Sequence, residues 1–122
     1  MTSTPLRING DRLMKRLMAL AEVGAIDGGG VCRLALTDED RAGRDLVVRW
    51  MRELGLTVTI DRIGNVVGTR PGTSNSKPVI IGSHIDTVRT GGKYDGNLGV
   101  LAAIAVVAEL EKIGRASCRE RV

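Results

Sequence analysis

Hydrophobic residues recur every three or four positions in two segments of the amino-terminal half of the chain, which is the spacing of amphipathic helices. Asn9 precedes the first segment and can cap a helix there, and Gly24 follows it and can close the helix. Thr37 and Asp40 open the second segment as an acidic variant of the capping box. The pattern therefore predicts two helices that each bury one face.

From residue 56 the period of the hydrophobic pattern changes from helical spacing to two. Apolar and polar residues alternate through 56–60, and a second apolar segment, 66–69, follows a turn at Gly64 and Asn65. This arrangement predicts a β-hairpin. Residues 71–78 carry a proline at each end and little to bury between them, which predicts a surface loop.

The remaining apolar segments are not amphipathic. Val79, Ile80 and Ile81 form a β-branched run that predicts a strand covered on both faces. Residues 98–113 are apolar almost all round until Glu109, which predicts a helix buried on most sides. Two helices and a hairpin cannot cover this helix and the strand completely, so we predict an incomplete α/β domain.

Composition and charge narrow the possible functions. The chain has 122 residues, with 2% aromatic residues and a net charge of +4, half of it in the last nine residues. So few aromatic residues leave no platform for stacking bases, and we expect no nucleic-acid partner. The longest apolar stretch, 98–108, is shorter than the roughly 20 residues that span a bilayer, so we expect no membrane partner. Cys32 and Cys118 lack metal-type spacing and no signal peptide precedes them, which favours a cytoplasmic protein.

The residues most suited to chemistry lie in one stretch, Gly82–Gly99, with the sequence GSHIDTVRTGGKYDGNLG. It follows the predicted buried strand, and ligands collect at such strand ends in α/β sheets. His84 and Asp86 point to the same side of an extended segment, so Asp86 either shares a ligand or hydrogen-bonds the His84 ring. Asp95 is followed by a glycine, which leaves room for a bridging carboxylate. The stretch predicts half of a metal site; the alternative is an ordinary hydrogen-bonded histidine and an Asp-Gly turn.

The motifs GSHIDTV and GGKYDGNLGVLAA resemble the metal-binding signature of the di-metal amidohydrolases and peptidases that include aminoacylase and glutamate carboxypeptidase. More specifically, they are similar to the hydantoinase/carbamoylase branch, with its N-carbamoyl-L-amino-acid hydrolases, β-ureidopropionases and allantoate amidohydrolases. The likeness continues upstream through INGDRL, GGGVCRLALTDEDRAGRD, WMRELGL and GNVVGTRPGT. It implies an αβα catalytic domain of a zinc-peptidase-like fold, with residues 1–113 as its amino-terminal part.

The resemblance also implies roles for the three residues. His84 would bind one metal, Asp95 would bridge two, and Asp86 would act in catalysis by orienting His84. Two divalent ions, Zn²⁺ or else Mn²⁺, Co²⁺ or Ni²⁺, would activate water to cleave a linear amide C–N bond in a small carbamoyl or ureido substrate. The family's Glu-Glu pair has no counterpart here, so we expect this chain alone to be inactive. The intact enzyme is expected to be a homodimer, joined through a domain that this chain lacks.

Alternatives remain for the carboxyl-terminal end and for the function. Residues 114–122 depart from the family pattern and are predicted to be a non-native tail without regular structure; a genuine basic tail is the alternative. An aminopeptidase or acylase of the same fold would also fit the motif. A non-catalytic interaction module, with the apolar helix as its contact surface, is the third hypothesis.

Overall fold

The computed structural model describes residues 5–113 and 120–121, which form three helices and a four-stranded sheet. The helices are α1 (Gly10–Ala21), α2 (Asp38–Glu53) and α3 (Asn97–Ile113), and the strands are β1 (Thr57–Ile60), β2 (Val66–Arg70), β3 (Val79–Ile80) and β4 (Glu120–Arg121). The strand order in the sheet is β1-β2-β4-β3. No helix within the described ranges is long and apolar enough to cross a membrane.

The predicted helix starts are confirmed, because each capping side chain accepts a backbone hydrogen bond. Asn9 Oδ1 accepts from the Arg12 amide at 3.0 Å, and Thr37 Oγ1 accepts from the Asp40 amide at 3.2 Å. Asp40 reaches back to the amide of Leu36, at 2.9 Å, one residue before the cap. These contacts satisfy amides that have no partner inside the helix.

The predicted hairpin is also confirmed. β1 and β2 pair antiparallel, with Thr57 opposite Thr69 and Ile60 opposite Val66. The Asp61 carboxylate organises the turn, since its Oδ1 accepts from the amides of Ile63 at 3.0 Å and Asn65 at 2.9 Å. The register is therefore fixed locally, by the turn and by the alternation of side chains.

The core lies where α1 packs on α3 and α2 packs on β1 and β2. Its fully buried members are supplied by all three helices and by the residue before β1: Leu17, Leu20, Val47, Met51, Leu56, Val100, Leu101, Ala103, Ile104 and Val107. Trp50 is half-buried against this cluster, with the Arg16 guanidinium 5.5 Å from its ring centroid. This agrees with a packing role for Trp50.

The prediction of a strand covered on both faces is wrong for β3. Val79 is 53% exposed and Ile80 is 69% exposed, and only Ile81, just after the strand, packs against the core. The reason is that α2 covers β1 and β2, at the other edge of the sheet. The apolar run identified a strand correctly but did not reveal which of its faces is covered.

The predicted tail lies mostly outside the described residues, which omit 114–119 and 122. Within it, Glu120–Arg121 form β4, antiparallel to β2 and parallel to β3. The expectation of no regular structure is therefore wrong for these two residues. Strand edges present unpaired backbone groups, and a strand between β2 and β3 satisfies both edges.

Candidate metal site

The stretch that follows β3 runs beside the segment that follows α1. The backbones of Val31 and Gly91 exchange two hydrogen bonds of 2.9 Å, and the Thr87 amide donates to the Arg33 carbonyl at 2.7 Å. A Cβ on Gly30 would lie 2.9 Å from the Gly91 carbonyl oxygen, so the glycine permits this close approach. These contacts fix residues 87–91 beside residues 30–33.

His84 contacts Asp86, and the orienting role that the sequence offers as one of two alternatives stays a prediction. Its Nδ1 lies 3.0 Å from the Asp86 backbone carbonyl and 3.3 Å from the Asp86 carboxylate oxygen Oδ1. Both contacts favour a proton on Nδ1, which leaves the lone pair on Nε2. The His84 side chain is 53% exposed, so part of the ring is open to a ligand.

Gly96 brings His84 next to the second aspartate. The His84 ring packs on Gly96 so closely that a Cβ there would overlap ring atoms Cε1 and Nδ1. Gly96 has φ of +73°, a conformation that favours glycine. Asp95 directly precedes Gly96 and is exposed, so its backbone lies one residue from the glycine that the His84 ring contacts.

The start of α3 lies in this region as well. Asn97, its first residue, is fully buried, and its Nδ2 donates to the Lys93 carbonyl at 3.1 Å. That bond spans the turn that carries Asp95. The positive end of α3 favours a negatively charged carboxylate immediately before the helix.

Sequence reasoning missed Arg33, which is fully buried beneath the site. Its guanidinium donates to the carbonyls of Ile85, Leu20 and Val23 and to the side-chain oxygen of Asn97. Burial lowers the pKa of Arg33 from its usual value, and the charges of Asp40 and Asp86 oppose this effect. No pattern in the sequence indicates this position, because an arginine normally lies on the surface.

The donors fit part of a metal site. An imidazole nitrogen and a carboxylate are both ligands that Zn²⁺ and related divalent ions accept. Across residues 5–113, however, no group of three or more potential metal-binding side chains is assembled. The described residues therefore supply two candidate donors, whereas a catalytic zinc ion keeps roughly three protein ligands.

An open cleft of about 320 Å³ adjoins these residues, between α2, the hairpin turn and the segment 82–86. His84 and Asp86 line one side of it, and Asp40 and Arg44 line the side formed by α2. A small polar molecule in this cleft would lie against His84, which contacts Asp86.

The fold aligns with the solved structures of amidases and of a peptidase. A hydantoinase/carbamoylase family amidase from Burkholderia ambifaria superposes with a TM-score of 0.92 at 46% identity, over 95% of this chain and 29% of that one. A tripeptidase from Staphylococcus aureus superposes with a TM-score of 0.73 at 18% identity, which shows a shared fold alone. The predicted zinc-peptidase-like α/β fold is therefore confirmed.

Sequence comparison leads to the same family. The chain is 48% identical over 108 residues to an N-carbamoyl-L-amino acid amidohydrolase from Geobacillus stearothermophilus, covering 88% of this chain. It is 46% identical over 94 residues to an allantoate amidohydrolase from Bacillus subtilis, covering 76% of this chain. The chain is a homologue of the hydantoinase/carbamoylase amidases, as the resemblance implied. It spans 26% and 23% of the lengths of these two relatives. No family model matches the chain.

Proposed function

We propose that this chain is the amino-terminal part of a metal-dependent amidohydrolase that cleaves linear amide C–N bonds in small substrates. The substrates would be N-carbamoyl-L-amino acids or ureido compounds such as allantoate. Support comes from the 48% and 46% identity to relatives with those names. Residues 1–113 would belong to the catalytic domain, and residues 114–122 would be a non-native tail.

The observation that carries the proposal is the packing of the His84 ring on Gly96, beside Asp95. The positive-φ glycine lets the ring lie against the turn that carries Asp95. This arrangement leaves the half-exposed ring open to a ligand while Nδ1 contacts Asp86. It is the geometry expected of an imidazole that binds a metal through Nε2.

The proposed roles follow from the contacts of each residue. His84 would hold one divalent ion through Nε2, and Asp95 would bridge two ions with its carboxylate. Asp86 would act in catalysis by fixing the tautomer and orientation of His84, because its oxygens would accept a hydrogen bond from Nδ1–H. When bound, the ions supply Lewis-acid chemistry, lowering the pKa of water and polarising the carbonyl group of the substrate.

Two donors are too few for a two-metal site, so we propose that the remaining ligands and the general base lie outside the described residues. The chain by itself would then bind metal weakly and turn over no substrate. The metal would be Zn²⁺, Mn²⁺, Co²⁺ or Ni²⁺, all of which accept this donor pair. A homodimer of the intact enzyme stays a prediction. We also propose a cytoplasmic location, supported by the free thiol of Cys32.

A chimera tests the proposal. The 108 aligned residues of the Geobacillus stearothermophilus relative would be replaced by those of this chain, and hydrolysis of N-carbamoyl-L-amino acids and allantoate would be measured. We expect the chimera to be active. His84→Ala and Asp95→Ala in the chimera should each reduce turnover to background and reduce the content of tightly bound metal.

Asp45→Ala provides the matched control, because Asp45 is an exposed carboxylate on α2. It should change neither turnover nor metal content. A folded chimera that retains activity with His84→Ala would refute the proposed ligand. A folded chimera that hydrolyses N-acetyl amino acids or dipeptides, but not carbamoyl compounds, would favour the acylase or aminopeptidase alternative.

A further inference from the structure

Arg33 links three parts of the molecule that are distant in sequence. Its Nε donates to the Ile85 carbonyl at 2.9 Å, and one terminal nitrogen donates to Asn97 Oδ1 at 3.0 Å. The other terminal nitrogen donates to the carbonyls of Leu20 at 2.9 Å and Val23 at 2.6 Å, near the end of α1. Four hydrogen bonds from one rigid, planar group fix these partners relative to one another.

The partners of Arg33 are close neighbours of the two candidate ligands. Ile85 lies between His84 and Asp86, and Asn97 follows Asp95 by two residues. The backbone of Arg33 also bonds the segment that carries His84, because the Arg33 amide donates to Thr87 Oγ1 at 2.8 Å. The guanidinium therefore bonds a close sequence neighbour of each candidate ligand.

The packing around Arg33 indicates that its place is specific. A Cβ on Gly43 would lie 2.8 Å from Cδ of Arg33 and 3.2 Å from its Nε, so α2 carries a glycine where the arginine side chain passes. Burying an arginine without a bidentate carboxylate partner costs free energy, and an apolar residue would fill the same space at lower cost. Bonding the carbonyls at the end of α1 accounts for one terminal nitrogen, and the bonds to Ile85 and Asn97 join two separate loops.

We propose that Arg33 is a positioning residue that sets the separation between His84 and Asp95, and through it the metal affinity of the site. The bond to Ile85 fixes the segment that carries His84, and the bond to Asn97 fixes the turn that carries Asp95. This inference rests on the proposed metal site. It assigns to Arg33 no contact with metal or substrate.

The experiment uses the single histidine of the chain as its reporter. In protein labelled with ¹⁵N-histidine, titration with Zn²⁺ shifts the imidazole nitrogen signals of His84, and a parallel Co²⁺ titration gives an absorption band. Arg33→Lys keeps the charge but loses the planar fork. We expect it to weaken metal binding by about 10- to 100-fold, the range for removing a group that orients a ligand.

Asn97→Ser is the second variant, and it serves alone if Arg33→Lys does not fold. Serine is too short to reach the guanidinium, so binding should weaken in the same direction. The double variant should lose less than the product of the two single losses, because both changes break one shared bond. A double variant that loses the full product of the two single losses would contradict the proposed link.

Arg70→Lys is the matched control. Arg70 is also buried, and its Nε bonds Glu111 Oε2 at 2.6 Å near the other end of α3. The same Arg→Lys change there should lower stability and leave metal affinity unchanged. If wild type binds metal and Arg33→Lys binds it equally well, this inference fails and the proposed function stands. If the His84 signals of wild type ignore both metals even at millimolar concentrations, the weak binding expected of this chain is absent, and the metal site fails together with this inference.

Discussion

The imidazole of His84 lies directly on the backbone of Gly96, in space that any other residue at position 96 would occupy with its Cβ. The positive φ of Gly96 reinforces this requirement, because side chains disfavour that conformation. Two independent constraints, one steric and one conformational, thus select glycine at the same position. Both act on the backbone that joins Asp95 to α3.

We expect Gly96→Ala to displace His84 and to destabilise the chain by about 1–3 kcal/mol, the usual cost of a strained backbone conformation. Metal-induced shifts of the His84 signals should weaken or vanish. Gly92→Ala is the control in the same loop, since a Cβ on Gly92 would meet nothing within 4 Å. Urea unfolding and the ¹⁵N titration measure the two effects. Equal behaviour of the two alanine variants would contradict the proposed role of Gly96.

Asp86→Asn should weaken metal binding by His84 by about tenfold, near the low end for loss of an orienting carboxylate. The effect is limited because the Asp86 backbone carbonyl, 3.0 Å from Nδ1, remains in place. The ¹⁵N shifts of His84 should also reveal a larger fraction of the tautomer with its proton on Nε2. Asp45→Asn, in an exposed position, should leave both observables unchanged. An unaltered tautomer ratio in Asp86→Asn would argue against the orienting role.

Ile104 is fully buried in α3 and contacts the main core, so its truncation tests the packing of the domain. Ile104→Ala should lower the free energy of unfolding by about 2–5 kcal/mol, because it removes buried methyl groups and leaves a cavity. Val106→Ala is the control on the same helix, at a position that is 39% exposed. It should cost less than about 1 kcal/mol. Urea denaturation monitored by circular dichroism gives both free energies of unfolding. Similar losses of stability in the two variants would contradict the placement of Ile104 in the core.

The hairpin turn should make stability depend on pH at the acidic end. Hydrogen bonds from the side chain and backbone of Asn65, and from the Ile63 and Gly64 amides, hold the pKa of Asp61 below its usual value. Ionised Asp61 therefore stabilises the fold above its unfolded-state pKa, and this contribution is lost as pH falls through the lower, folded-state pKa. Asp61→Asn should be less stable than wild type at about pH 6, with the difference shrinking towards about pH 3. A difference that is constant over this range, measured by urea unfolding, would contradict the assignment.

Local features of the fold could be predicted from the sequence. The caps at Asn9 and Thr37 and the turn at Gly64 and Asn65 are made by residues within four positions of their partners. Short-range chemistry of this kind is encoded in the order of residues and needs no knowledge of tertiary packing. The position of His84 after a strand and of Asp95 before a core helix followed from the same local patterns.

Features that depend on elements distant in sequence could not be predicted from the sequence. The run from Val79 to Ile81 identifies a strand, but its exposure is decided by which helices cover the sheet. An arginine such as Arg33 is expected on the surface. Its partners are carbonyl groups and an asparagine, and no carboxylate in the sequence indicates a buried ion pair. Every residue type has a backbone carbonyl group, so the sequence does not indicate which carbonyl groups accept from a buried arginine. Its burial can be recognised only from the structure.

The hydrogen bonds of Arg33 also bear on the order of events in folding. They join residues 52 and 64 positions apart in sequence, so the His84 and Asp95 segments acquire their arrangement only after a long loop has closed. Contacts of such high sequence separation form slowly compared with a helix or a hairpin. During synthesis, the candidate site therefore cannot assemble before Asn97 has left the ribosome, and the nascent chain would have no organised place for metal until then.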